Sequence, residues 1–197
     1  MDSLFDAQGN RKYLTADERR SFEEAAKSLE REARTFCLML KHTGCRISEA
    51  LSLKVKDIDF QTKSVTFETL KQGKDKKGNR KRIFRQVPIS EAFLDGLDLV
   101  HDLKRRQRNA SSAQELIWSF SRVTGWTKIK EVMNTAQIYG VQACPLGLRH
   151  GFAIACVENK IPLNVLQKWM GHKYMTTTAI YANVMGQEER NLAALLW

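Results

Sequence analysis

A single change of hydrophobic period constrains this chain more than any other feature. From residue 57 to residue 70, "DIDFQTKSVTFETL" alternates apolar and polar positions around a turn near Gln61–Lys63, and "IFRQVPI" at 83–89 follows as the returning strand. Alternation of this kind puts successive side chains on opposite faces, as in a half-buried strand. The flanking segments follow a helical period instead. "LTADERRSFEEAAKSL" opens a helix with Thr15 as cap and Glu18 at the capping-box position. "REARTFCLMLKHTG" carries apolar residues at helical spacing and stops at Gly44, and "RISEALSL" makes a short helix after it. Beyond the strands, "EAFLDGLDLVHDLKRRQ", "TKIKEVMNTAQIYG", "GLRHGFAIACVENK", "PLNVLQKWMGH" (Pro162 at its start) and "GQEERNLAALLW" read as helices. The expected class is α+β, mainly α-helical, with one small three-stranded antiparallel sheet. Residues 1–13 read as a polar lead-in, and 14–197 as one domain that includes a C-terminal helix at 186–197.

Charge narrows the function. The formal net charge of +10 over 197 residues calls for a polyanionic partner, nucleic acid before an anionic membrane surface. No apolar run is long enough to span a bilayer, and the opening residues lack a signal-peptide core. The four cysteines form no CxxC pair and the four histidines complete no zinc spacing. Reduced, mostly buried thiols in a cytoplasmic protein are expected, with no metal and no cofactor.

Four patches carry candidate chemistry. In "TGCRISEAL", Arg46 and Glu49 share a helical face, as a surface ion pair would. In "LKQGKDKKGNRKRIFRQVPI", Lys71, Lys74, Lys76, Lys77, Arg80, Lys81, Arg82 and Arg85 crowd a strand-turn-strand. A charge run is often only a solvated face, but a basic β-ribbon fits a DNA groove, and DNA contact is the favoured reading. In "CPLGLRHGFAIA", Arg149 stands near the start of an apolar helix, either to meet an anion or as a buried structural arginine. In "WMGHKYMTTTAIYANV", His172 follows a helix-ending glycine, with Tyr174 and Tyr181 behind it.

Taken in order, these patches resemble the catalytic domain of the tyrosine recombinases, the phage integrase family. "TGCRISEALSL" is similar to that family's first-arginine box and "TLKQGK…RQVPI" to its lysine-bearing hairpin. "PLGLRHGFA" is similar to its "HxLRHxFA" box, and "LQKWMGHKYMTTTAIYANV" to its "LGH…TxxYxH" box. The likeness runs from about Leu14 to the end. It implies a site-specific recombinase or integrase that cleaves and rejoins double-stranded DNA through a covalent 3′-phosphotyrosine intermediate, without metal or ATP. By that pattern Tyr181 is the nucleophile, Arg46 and Arg149 clamp the phosphate, and His172 donates to it. Lys71, or Lys74 as the alternative, is the general acid. Tyr174 falls at an ordinary loop position, as packing or a phosphate contact. The resemblance also implies a monomer or weak oligomer in the free state and a tetramer on synapsed DNA, in the bacterial cytoplasm or nucleoid. Leu192, Leu195, Leu196 and Trp197 form an apolar stripe that docks either on its own domain or on a neighbouring protomer.

Such residues suit the reaction. Attack on a phosphodiester adds charge to its non-bridging oxygens, so the site must supply cations there. The planar fork of arginine binds two phosphate oxygens at once and stays charged. A lysine delivers the proton needed by the departing 5′-oxygen, and a phosphotyrosine ester stores the cleaved linkage for rejoining.

One position departs from the pattern. Where the family box has a histidine three residues before its arginine, this chain has Leu146, which neither accepts nor donates a proton. Three consequences stay open: activity with water or a neighbour (His150 or His172) as substitute, a slow site, or a decayed relative that binds DNA as a regulator. Activity is favoured, with His150 read as a structural helix residue. A type IB topoisomerase-like enzyme shares the chemistry and is the further alternative. Fewer than fifty residues precede Arg46. The chain therefore resembles the short single-domain recombinases, such as the fimbrial phase-variation invertases, or an isolated catalytic fragment, with an accessory DNA-binding protein as a further expected partner.

Overall fold

The computed structural model describes residues 3–69 and 82–183. Lys71, Lys74, Lys76, Lys77, Arg80, Lys81 and the expected helix 186–197 lie outside the described residues.

The helical body is organised around one central helix. α1 (Ala16–Ala26) begins at the expected capping box, in which the Thr15 hydroxyl accepts from the Glu18 amide and the Glu18 carboxylate accepts from the Thr15 amide. α2 (Arg31–Thr43) buries Ala33, Phe36, Cys37 and Leu40, the three-and-four spacing that makes one apolar stripe. The Phe36 ring meets Trp118 edge-on at 5.6 Å, and the Trp118 indole donates to the Glu32 carbonyl. Truncating Phe36 to alanine in such packing costs roughly 3–5 kcal/mol.

α3 (Ile47–Ala50) follows, then the sheet: β1 (Ile58–Asp59), β2 (Ser64–Glu68) and β3 (Phe84–Pro88), antiparallel in the order β1-β2-β3. Val65 lies opposite Val87, and Phe67 opposite Arg85. On β3 the buried positions are Arg85 and Val87, while Phe84, Gln86 and Pro88 face outward.

The remaining described elements are α4 (Glu91–His101), α5 (Leu103–Gln107), α6 (Arg122–Thr135), α7 (Pro145–Glu158), α8 (Leu163–Met170) and α9 (Met175–Ala179), with 3-10 turns at Val55–Asp57, Ser112–Gln114 and Ile180–Asn183. Three of these differ from the sequence expectation. The helix expected across 91–107 breaks at Asp102, whose φ of 52° is left-handed. α6 starts five residues before Thr127, because the Ser121 hydroxyl caps it by accepting from the Thr124 amide. α7 starts at Pro145, two residues before Gly147, since proline suits the first helical position.

Gly147 has a steric role there. A Cβ on it would stand 1.9 Å from the Gln142 carbonyl oxygen, so only glycine lets α7 begin against that loop. The lead-in before Thr15 is also tied down, with Leu4 and Leu14 both buried. Leu4 joins a second apolar cluster with Ile154, Leu166, Met170 and Tyr181.

Candidate active site

A cleft of about 790 Å³ opens where α3, α6, α7 and the segment after α8 converge. Arg46, Arg149, His150, His172, Tyr181 and Leu146 are among its lining residues.

The first arginine is placed by a helix end. α2 stops at Gly44 with a φ of 60°, and a Cβ there would stand 2.5 Å from the Phe152 ring. Two residues on, Arg46 caps α3. Glu49 accepts from the Arg46 backbone amide (2.9 Å) and from its guanidinium (2.9 Å). The pair is therefore no surface decoration, since the Glu49 carboxylate is fully buried. Glu49 also receives Arg85 at 2.6 Å. Burial pushes the Glu49 carboxyl up, but the Arg85 charge and hydrogen bonds, with the amide and charge of Arg46, hold it below the usual carboxylate range.

Arg85 corrects one sequence reading. It does not belong to the outward basic crowd of the ribbon. Strand alternation puts it on the same face as Val87, and it donates to Glu49, to the Thr69 hydroxyl (3.0 Å) and to the Trp169 carbonyl (2.7 Å). Arg82 does point outward, paired with Glu68 at 2.7 Å and lying over the Phe84 ring.

Arg149 is buried and held by backbone. Its guanidinium donates to the Gly44 carbonyl at 2.7 Å and to the Met170 carbonyl at 2.5 Å, joining the ends of α2 and α8. Burial pulls its pKa down to about 10, and Arg46 acts in the same direction, while Glu49 and Tyr181 oppose them. It remains charged at neutral pH.

His172 follows Gly171, which ends α8 in the left-handed region. Its Nδ1 lies 2.9 Å from the buried Thr178 hydroxyl. Burial, then the charges of Arg149 and Arg46, press its pKa down to about 3. A neutral imidazole whose Nδ1 accepts from Thr178 carries its hydrogen on Nε2 and can donate it.

Tyr181 is 2% exposed in the 3-10 turn after α9. Its ring runs parallel to that of His172, with centroids 6.3 Å apart, and its hydroxyl lies 2.8 Å from His150 Nδ1. Tyr174 is 59% exposed beneath the Lys173 ammonium, so it is not a packing residue.

The structure thus brings together Arg46, Arg149, His172 and Tyr181 from widely separated boxes, with Leu146 half-exposed at the rim. Sequence reasoning kept His150 as one possible substitute but favoured a structural role for it, and it missed Arg122 and Trp126, which line the same cleft from α6. The Ser121 cap was the signal for those two. Among the described residues, no group of His, Cys, Asp or Glu could hold a metal ion, and no helix is long and apolar enough to cross a membrane. The cysteines are free, and burial pushes Cys37, Cys45 and Cys156 up to about 12.

An arginine pair, a neutral histidine and a tyrosine hydroxyl in one cleft of a mainly helical domain with a three-stranded sheet define a tyrosine recombinase catalytic domain. The chain belongs to the phage integrase family, whose pattern matches residues 12–188. It is 30% identical over 178 residues to the tyrosine recombinase XerA of Pyrococcus furiosus, covering 88% of this chain and 57% of that protein. It is 35% identical over 167 residues to the tyrosine recombinase XerD of Mycobacterium leprae, covering 79% and 49%. The chain therefore spans about half the length of these curated relatives. Among solved structures, XerA recombinase superposes with a TM-score of 0.71 at 25% identity, covering 93% of this chain and 64% of the other. XerH site-specific recombinase bound to palindromic difH substrate superposes at 0.74 and 19% identity, covering 100% and 57%, a likeness of fold.

Proposed function

We propose that this chain is the catalytic domain of a site-specific DNA recombinase that cleaves and rejoins strands through a covalent 3′-phosphotyrosine. The observation that carries the reading is the shared cleft of Arg46, Arg149, His172 and Tyr181. The two guanidinium groups bind the non-bridging oxygens of one phosphodiester, and His172 Nε2–H adds a third donor to the charge that grows there. The Tyr181 oxygen forms a bond to phosphorus as the P–O5′ bond breaks. Lys71, with Lys74 as the alternative, protonates the departing 5′-oxygen. Lys74, Lys76, Lys77, Arg80, Lys81 and Arg82 hold flanking phosphates, which makes binding steeply salt-dependent.

The partner is double-stranded DNA, supported by the net charge of +10 and by fold neighbours solved with DNA, a XerH recombinase bound to difH substrate and a Tn1549 transposon integrase in complex with transposon right end DNA. On synapsed sites the assembly is a tetramer built from protomers that associate weakly when free. An accessory DNA-binding protein strengthens the grip, and the setting is the bacterial cytoplasm. Neither the regulator nor the topoisomerase-like reading gains an observation of its own.

A nicked suicide duplex tests the proposal, because the nick lets the released fragment diffuse away and traps the adduct. A denaturant-stable protein–DNA adduct should form without metal or ATP and vanish in Tyr181→Phe. Tight DNA binding with no adduct would favour the regulator, and an adduct that persists in Tyr181→Phe would remove the assigned nucleophile.

A further inference from the structure

We propose that His150 is the proton acceptor for Tyr181, taking over the task that a leucine at position 146 cannot perform. The inference rests on the reading of Tyr181 as nucleophile. His150 Nδ1 lies 2.8 Å from the Tyr181 hydroxyl, a direct hydrogen bond to the reacting atom, with the rings 5.7 Å apart and tilted by 50°. That distance meets the geometric requirement for a general base.

Helix geometry explains how the task moves. Leu146 and His150 are four residues apart on α7, so they lie one turn above the other on the same face. Both line the cleft, Leu146 at its half-exposed rim and His150 buried beneath it. A base at 150 therefore serves the same face one turn deeper. Arg149, the adjacent residue, points about 100° away and takes the Gly44 and Met170 carbonyls instead. One short sequence, "LRH", thus sends a cation to the phosphate and an imidazole to the nucleophile.

The other imidazole in the cleft is committed elsewhere. His172 Nδ1 is engaged by Thr178, and the ring is pressed far below the range in which it would take a proton at neutral pH. Its chemistry is donation. The titratable and charged groups that share the cleft with His150 are Tyr181, His172, Cys144, Arg46, Arg122 and Arg149.

In the step itself, His150 carries its hydrogen on Nε2 and accepts at Nδ1. The Tyr181 O–H bond gives its proton to Nδ1 as the oxygen bonds to phosphorus. The P–O5′ electron pair leaves with the 5′-oxygen, which takes its proton from the general acid. Rejoining reverses each transfer, and the imidazolium returns its proton to the phenol.

The test is single-turnover cleavage of the nicked suicide duplex from pH 6 to pH 9 by the wild type, His150→Ala and His150→Gln. DNA affinity and melting temperature are measured alongside. Glutamine keeps a hydrogen-bonding group near the phenol but cannot take its proton. Both variants should bind DNA within a few-fold of wild type and cleave roughly 10²–10⁴-fold more slowly at pH 7. The deficit should shrink as pH rises, because hydroxide then removes the phenolic proton. A glutamine variant that cleaves like wild type would reduce His150 to a positioning residue. An alanine variant as fast as wild type, or a deficit constant with pH, would likewise overturn the proposal. Absence of any adduct in the wild type would instead remove the nucleophile assignment on which it rests.

Discussion

Arg149 and Tyr181 face the same cleft, yet they are held there by different means. Arg149 is fixed by two backbone carbonyls at the ends of α2 and α8, and Arg46 by a buried carboxylate that also anchors a strand. Tyr181 sits in a short 3-10 turn after a five-residue helix, and its hydroxyl meets the His150 imidazole side chain. His172 depends in turn on the Thr178 hydroxyl of that helix. The contrast suits the proposed electrostatic chemistry: the cations are preorganised by backbone and a buried carboxylate, and the proposed nucleophile is held by apolar packing and a side-chain hydrogen bond.

Four predictions press on this contrast. Arg149→Ala should cost the most, slowing cleavage by roughly 10²–10³-fold and leaving two buried carbonyls without their donor. Trapped-adduct kinetics beside a melting curve would separate the two losses, and a catalytic loss without a stability loss would break the idea of a backbone-fixed clamp. Glu49→Gln should come next, lowering unfolding free energy by about 3–5 kcal/mol because Arg85 would lose its buried counter-charge. Denaturant titration checks it, and a change below about 1 kcal/mol would mean that the pair behaves as a surface one.

Thr178→Val should act on the other end of the cleft. It frees the His172 ring at the cost of one hydrogen bond, so cleavage should fall roughly five- to tenfold while DNA binding holds. The last effect concerns pH. His172 is pressed to about 3, and His42 and His101 to about 4, mainly by burial. A histidine whose folded pKa lies below its unfolded one binds fewer protons in the native state. Its stabilising effect is therefore complete above about pH 6.5 and is lost as pH falls towards the folded values. Glu49, held low, adds a loss in the same direction at more acid pH. The melting temperature of the DNA-free protein should drop on the order of 10 °C between pH 7 and pH 5, and a flat profile by calorimetry would contradict the buried, neutral imidazoles.

Much of this was legible in the sequence where local chemistry decides the outcome. The Thr15–Glu18 box, the stop at Gly44 and the alternating strands each have a local cause, and each lies where the sequence puts it. The four-box order brought Arg46, Arg149, His172 and Tyr181 into one expected site. What stayed hidden was set by direction and depth. Arg85 looked like one more cation of the ribbon, although the period-two alternation with Val87 already turned it inward. His150 looked structural, because the distance to a residue thirty-one positions later is a product of packing. Arg122 and Trp126 stayed hidden because they belong to the part of α6 that the Ser121 cap starts before Thr127.

The anchoring of Arg85 has a mechanical consequence. β3 is bolted by one guanidinium to the carboxylate behind Arg46 and to the carbonyl of Trp169, three residues before His172. A displacement of that strand therefore cannot be absorbed by the strand alone. It is passed to both the first arginine and the turn that carries the imidazole, so that the edge of the sheet and two walls of the cleft behave as one mechanical part.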